Sequence, residues 1–129
     1  MARILLALLC AGHGVAHLVG FFAAWRPGLF PALPHKTTIL AGQLNIGEAG
    51  IRIVGVLWLG MALAFAWAAV LMWLKGASAA NIVMWVAAVS IVLSVLEWPD
   101  SQIGVVVNLS IVLLILAGLR YGWLTNVHR

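Results

Sequence analysis

Charge is scarce in this chain, and the scarcity excludes several classes of protein. Of 129 residues, 8% are charged, with three acidic side chains against seven lysines and arginines. Hydrophobic residues make up 65% of the chain, and its mean hydropathy is +1.16. A soluble globule of this length needs more polar surface, so the composition predicts a membrane protein. The net charge of +4 comes from scattered basic residues, which argues against a nucleic-acid partner.

Cysteine and the common catalytic motifs are also missing. The single cysteine, Cys10, excludes an internal disulfide. The sequence contains no GxSxG, CxxC or GxGxxG pattern and no P-loop, so hydrolase, thiol-exchange and nucleotide chemistry lack the residues they need. We therefore expect a protein that is not an enzyme. The sequence indicates no particular cofactor.

Four long apolar stretches cover most of the chain, at residues 2–24, 48–74, 79–98 and 102–121. Each is close to the length of about 20 residues that a membrane-spanning helix requires. Prolines cluster in the first connection, Gly76 follows the second stretch and Pro99 follows the third. The sequence therefore predicts an all-α fold, an integral membrane four-helix bundle of antiparallel up-down topology. We expect it to form a single transmembrane domain over residues 1–129.

The basic residues predict the orientation of this bundle. Four crossings place both termini on one side of the membrane, together with Arg3, Lys75, Arg120 and Arg129. The opposite side holds Arg26, Lys36 and Arg52. The positive-inside rule then places both termini in the cytoplasm, by a margin of one charge. The lipid bilayer, through its anionic headgroups, is the expected partner of these side chains.

Two patterns lie on the first apolar stretch. His13 and His17 are four residues apart, one helical turn, and must face protein or a wet cavity because an unpaired polar group in hydrocarbon costs several kcal/mol. Gly12, Ala16 and Gly20 form a stripe of small residues at the same spacing. Such a stripe favours the close approach of a neighbouring helix.

Polar residues of the other stretches fall at a similar depth, in the outer half of the predicted bundle. A rise of about 1.5 Å per helical residue places Arg52, Ser94 and Asn108 near the level of His17. His13 and Ser90 lie deeper, and a polar rim is expected above. The predicted ligand-binding cluster or polar network consists of His13, His17, Glu48, Arg52, Ser94, Glu97, Asp100 and Asn108.

Three interpretations of this layer are open. Its side chains can pair with one another and fix the helix register, with Glu48 and Arg52 as a helix pair four residues apart. They can line a pocket for a small amphipathic molecule or lipid, where histidines beside carboxylates could relay protons. Finally, His13 and His17 can ligate a metal or a haem, assisted by Cys10, although HxxxH alone is a weak motif.

The first interpretation is preferred, so the expected function is that of a non-enzymatic structural or accessory membrane subunit. Its partner would be another membrane protein or a second copy of the chain, because small-residue stripes also serve oligomerisation. The alternatives are a binder or carrier of a small amphipathic molecule and a histidine-based metal or haem site.

Several short motifs carry a family resemblance: GHGxxHLxGF at residues 12–21, GVLWL at residues 55–59, and Trp98, Asp100, Gly104 and Asn108. Together they resemble a family of small, uncharacterised four-helix proteins of the bacterial inner membrane. The resemblance implies a multi-pass protein of that membrane. It also implies that the family pattern includes His13, His17, Trp58, Asp100 and Asn108. The first helix alone resembles DoxX-like proteins, small four-helix membrane proteins sometimes linked to redox partners.

Overall fold

The computed structural model describes residues 1–125 and is mostly helical, at 74%. In chain order its elements are α1 (Ala2–Trp25), β1 (Thr38–Ile39), β2 (Leu44–Asn45), α2 (Gly47–Lys75), a 3₁₀ helix (Gly76–Ala79), α3 (Ala80–Leu96) and α4 (Gln102–Arg120). The helical segments predicted from hydropathy agree with these bounds to within two residues at each end. The largest difference is at the end of α3, which stops before Glu97.

Within residues 1–125, three helical segments are long and apolar enough to cross a membrane, judged by length and composition. They are Ala2–Trp25, Gly47–Leu96 and Gln102–Arg120. The second segment has 50 residues and contains α2, the 3₁₀ helix and α3. A single crossing takes about 20 residues, so this segment is long enough for two.

Glycines set the closest approach between α1 and α2. A Cβ atom added at Gly20 would lie 2.6 Å from the ring of Trp58, and one added at Gly14 would lie 3.0 Å from Cβ of Phe65. Real Cβ atoms essentially never come closer than 3.0 Å to such an atom, so a larger residue at Gly20 would push the ring aside. The aromatic side chains of α2 therefore lie directly against the backbone of α1.

The stripe of small residues predicted on α1 is used only in part for this contact. Gly20 contacts α2, but a Cβ atom added at Gly12 would meet no atom of residues 1–125 within 4 Å. Gly12 and Ala16 line a cavity instead. Gly14, which lies outside the predicted stripe, also makes a close contact with α2.

The other helices contact one another through small and polar residues. Nδ2 of Asn108 on α4 donates to Oγ of Ser90 on α3 at 2.8 Å. One turn away, a Cβ atom added at Gly104 would lie 2.9 Å from Oγ of Ser94. By contrast, α1 contacts α4 far less than it contacts α2. The space between α1 and α4 is where the cavity lies.

A short hairpin in the first connection covers the end of α3. Strands β1 and β2 pair antiparallel, and the residues between them include Leu40 and Ala41 at φ of 52° and 55°, in the left-handed region. The backbone N–H of Leu40 donates to the carbonyl of Leu96 at 2.8 Å, and that of Ala41 donates to the carbonyl of Trp98 at 2.9 Å. The first bond satisfies a carbonyl that the end of α3 leaves free, and the two bonds together attach the connection to α3 and to the residues that follow it.

Candidate functional site

Four buried polar side chains form one hydrogen-bonded cluster between three helices. His13 and His17 come from α1, Ser90 from α3 and Asn108 from α4, and none is more than 7% exposed. We call these four residues the histidine network. Nε2 of His13 lies 3.2 Å from Oδ1 of Asn108, and Nε2 of His17 lies 2.7 Å from Oγ of Ser90. Because Asn108 also contacts Ser90, the four side chains are continuous.

One backbone carbonyl fixes the direction of every bond in the network. The carbonyl oxygen of His13 accepts from Nδ1 of His17 at 2.8 Å, so in the neutral ring Nε2 of His17 is an acceptor. Oγ of Ser90 must then donate to that nitrogen, and it accepts from Nδ2 of Asn108. The amide is thereby oriented with Oδ1 towards His13. Nε2 of His13 donates to this oxygen.

Aromatic side chains of α2 enclose the two imidazoles. The His13 and His17 rings meet edge to face, with centroids 4.4 Å apart. The ring of Phe65 is centred 4.8 Å from that of His13, and the ring of Trp58 is centred 5.0 Å from that of His17. In this way α2 contributes aromatic surface to the site. The sequence predicts a polar group from this helix, Arg52, in the same layer.

A cavity of about 640 Å³ lies beside the network, between α1 and α4. Its walls are mostly apolar: they include Leu8, Val19, Trp58, Ile103 and Val107, with the small residues of α1 between them. His13 and His17 interrupt this apolar wall near its middle. Small-molecule sites in proteins have volumes of this order and combine apolar walls with a few fixed polar groups.

Charged side chains line the cavity at the end nearest the first connection. Nζ of Lys36 lies 2.6 Å from Oδ2 of Asp100 and 3.4 Å from Oε2 of Glu97, and all three residues line the cavity. Burial raises the pKa of Glu97 above its ordinary value, although Lys36 opposes the shift. Burial alone would lower the pKa of Lys36, but its bond to Asp100 and the two carboxylate charges outweigh that effect and raise it.

Two residues of the predicted site lie apart from this cluster. Arg52 is exposed, with Cζ 5.5 Å from the centre of the Trp25 ring, and it is absent from the cavity lining of the described chain. Glu48 is also exposed and pairs with Nε2 of His35 at 2.8 Å, whereas the sequence favoured a pair with Arg52. A long cationic side chain reaches the helix surface easily and gains from an aromatic face there.

Ser94 is buried without serving the network. It is 0% exposed, and Oγ has no hydrogen-bond partner in the described part of the chain. Ser90, one turn earlier, makes both contacts instead. The sequence placed both serines on one face, and helical spacing alone does not distinguish them. Lys36 was not predicted as a site residue, because its connection carries no periodic pattern that gives its position.

The geometry does not favour metal ligation by the two histidines. Residues 1–125 contain no group of three or more His, Cys, Asp or Glu side chains arranged to hold a metal ion. Three of the four ring nitrogens of His13 and His17 are engaged in hydrogen bonds to protein atoms. The same bonds hold both rings in place.

Fold and site together define a helical protein with segments apolar enough to cross a membrane, and with a polar network beside a partly open cavity. No protein-family model, curated protein or solved structure matches this chain. The resemblance of its motifs to a bacterial inner-membrane family therefore stays an expectation.

Proposed function

We propose that this chain binds one small amphipathic molecule in the cavity between α1 and α4. The observation that carries the proposal is the cavity itself, about 640 Å³ of mostly apolar space with the histidine network on its wall and three charged residues at one end. A molecule with an apolar body and a polar group matches that distribution. The preferred expectation from the sequence was a structural subunit, and a cavity of this size favours the binding alternative.

We further propose that the four helices cross a bacterial cytoplasmic membrane in an antiparallel, up-down bundle. Contacts between helices support this arrangement. Gly14 contacts Phe65 and Gly20 contacts Trp58, so position numbers rise on α1 as they fall on α2. The pairs of Ser90 with Asn108 and Ser94 with Gly104 run the same way on α3 and α4.

The turn between α2 and α3 is consistent with a reversal of direction. Phe65 of α2 and Ser90 of α3 both lie beside His17, although the 3₁₀ helix separates them along the chain. Two helices that leave one turn and meet the same side chain run in opposite directions. In such a bundle the termini share one membrane side.

Both termini are proposed to be cytoplasmic. Arg129, which supplies the predicted margin of one basic residue, lies outside the described residues. Accessibility of single cysteines tests the orientation, because Cys10 is the only native cysteine and is buried. In a Cys10→Ala background, Ser78→Cys should react with an impermeant maleimide from the cytoplasmic side and Gln43→Cys from the opposite side. Labelling of both from one side would contradict the bundle.

The bilayer is the proposed route into the cavity. Leu8 of α1 and Ile103 of α4 line it and are 58% and 79% exposed. Because α1 and α4 contact each other little, the cavity opens sideways between them. An amphipathic molecule dissolved in lipid could therefore enter without crossing the polar connection.

The chain offers a matched pair of variants to test binding. Gly12 lines the cavity, whereas Gly60 of α2 does not; at neither position would an added Cβ atom meet another atom of residues 1–125 within 4 Å. Gly12→Leu should fill part of the cavity, and Gly60→Leu should add the same side chain elsewhere. The probe is ω-bromododecanol in nanodiscs, whose bromine quenches tryptophan fluorescence, and Trp58 is the buried tryptophan on the cavity wall.

Saturable quenching is expected in the unmodified protein and in Gly60→Leu, and it should be lost in Gly12→Leu. Quenching by probe dissolved in the bulk lipid rises steadily with probe concentration, and this non-saturating component is subtracted as the baseline. Equal saturable quenching in both leucine variants, or none in the unmodified protein, would contradict the proposed binding site.

A further inference from the structure

We propose that the bound molecule carries a hydroxyl group, which donates a hydrogen bond to Nδ1 of His13. The inference rests on the proposed binding function and specifies its ligand class: alcohols or phenols, in preference to the matching ethers. It follows from the direction of the histidine network, which determines the ring nitrogen of His13 that carries the proton.

The proton of His13 is placed by its partners. Nε2 must donate, because the oxygen of Asn108 faces it and the nitrogen of Asn108 is already bound to Ser90. In the neutral ring the other nitrogen, Nδ1, therefore has a free lone pair. The tautomer of His13 is thus determined through the whole network, beginning with the bond between Nδ1 of His17 and the carbonyl of His13.

The inference places that lone pair at the cavity wall. Within residues 1–125, Nδ1 of His13 has no hydrogen-bond partner and is not among the fully enclosed polar atoms. His13 itself lines the cavity. Lys36 is the charged donor on the same lining, and it is held by Glu97 and Asp100 at the far end.

A ligand oxygen without a proton would gain nothing at this position. An ether or carbonyl oxygen would place its lone pairs against that of Nδ1, whereas a hydroxyl group would donate to it. A neutral hydrogen bond contributes about 1 kcal/mol, which corresponds to about a fivefold difference in affinity. The cavity thus selects for the donor.

Two probes that differ only in this proton test the inference. The quenching titration is run with ω-bromododecanol and with its methyl ether, in the same nanodiscs. We expect the alcohol to bind about fivefold more tightly than the ether. Nitrogen NMR of histidine-labelled protein gives a direct readout: the alcohol should shift the Nδ1 signal of His13, and the ether should not.

Variants of the two buried serines separate the effect of the histidine network on alcohol preference from a general loss of stability. Ser90→Ala frees the amide of Asn108 to turn, which lets the proton of His13 move to Nδ1, so the preference for the alcohol should fall towards equality. Ser94→Ala removes a hydroxyl with no partner among the described residues and should leave the preference intact.

The outcomes distinguish the inference from the function on which it rests. Equal affinities for alcohol and ether in the unmodified protein would overturn the hydroxyl assignment and leave the binding site standing. Saturable quenching by neither probe would overturn both. A preference that survives Ser90→Ala unchanged would contradict the control of His13 by the network.

Discussion

Ser90 and Ser94 lie one turn apart on α3 and are both 0% exposed, so their alanine variants isolate the energy of the histidine network. Oγ of Ser90 donates to His17 at 2.7 Å and accepts from Asn108 at 2.8 Å, whereas Oγ of Ser94 has no partner within residues 1–125. Each substitution removes one oxygen atom from the same helix face. The helix propensity gained and the volume lost are therefore nearly equal.

Hydrogen bonds between membrane helices contribute about 0.6 kcal/mol on average and up to about 1.7 kcal/mol each. Loss of two such bonds predicts that Ser90→Ala lowers the free energy of unfolding by about 1 to 3 kcal/mol. Ser94→Ala should leave it unchanged or raise it by up to about 1 kcal/mol, because burial of an unpaired hydroxyl is unfavourable. Unfolding in mixed dodecyl maltoside and SDS micelles, followed by circular dichroism, measures both. Equal destabilisation by the two variants would refute the network as an energetic unit.

Two further predictions concern packing and charge. Gly20→Ala should destabilise the fold by about 1 to 3 kcal/mol, because its methyl group would overlap the Trp58 ring. Gly12→Ala should be neutral or slightly stabilising, because its methyl group meets no neighbouring atom. Thermal unfolding compares the two variants, and equal melting temperatures would contradict the prediction. Because the pKa of Glu97 is raised, the folded state favours its protonated carboxyl. The stability that this preference gives is fully present below the ordinary glutamate pKa and is lost as the pH rises through the folded-state pKa. As the pH rises above the ordinary glutamate pKa, the stability of Glu97→Gln should therefore fall less than that of the unmodified protein, and denaturant titrations at several pH values would measure the difference.

The helices could be predicted because long apolar runs and their breakers report directly on structure. The stretch from Ala2 to Trp25 is long and apolar enough to cross a membrane as a helix. Gly76 and Pro99 mark two of the connections. The β1–β2 hairpin was not predicted. Its strands have two residues each, and Leu40 is a residue type that gives no signal for a left-handed backbone conformation.

The buried polar residues were easier to place than the charged ones. His13 and Asn108 lie in apolar helices, and short polar side chains there are driven inward to find partners. Arg52 has a long side chain that can leave the interior, and it lies over Trp25 at the surface. The partner of Glu48 depends on where the first connection brings His35, a tertiary effect that spacing along α2 does not contain.

The accessory-subunit role stays a prediction. Co-purification of a defined membrane partner in mild detergent would support that role. A bound small molecule and a protein partner are compatible, since the cavity opens between α1 and α4 and leaves the outer face of α2 free.

The most direct test of the account is the position of a bound alcohol. Crystals of the protein grown with ω-bromododecanol give an anomalous signal that locates the bromine atom independently of the protein phases. The account predicts a bromine peak inside the cavity between α1 and α4, with the hydroxyl oxygen about 3 Å from Nδ1 of His13. Bromine peaks confined to the outer, lipid-facing surfaces of the helices would contradict it.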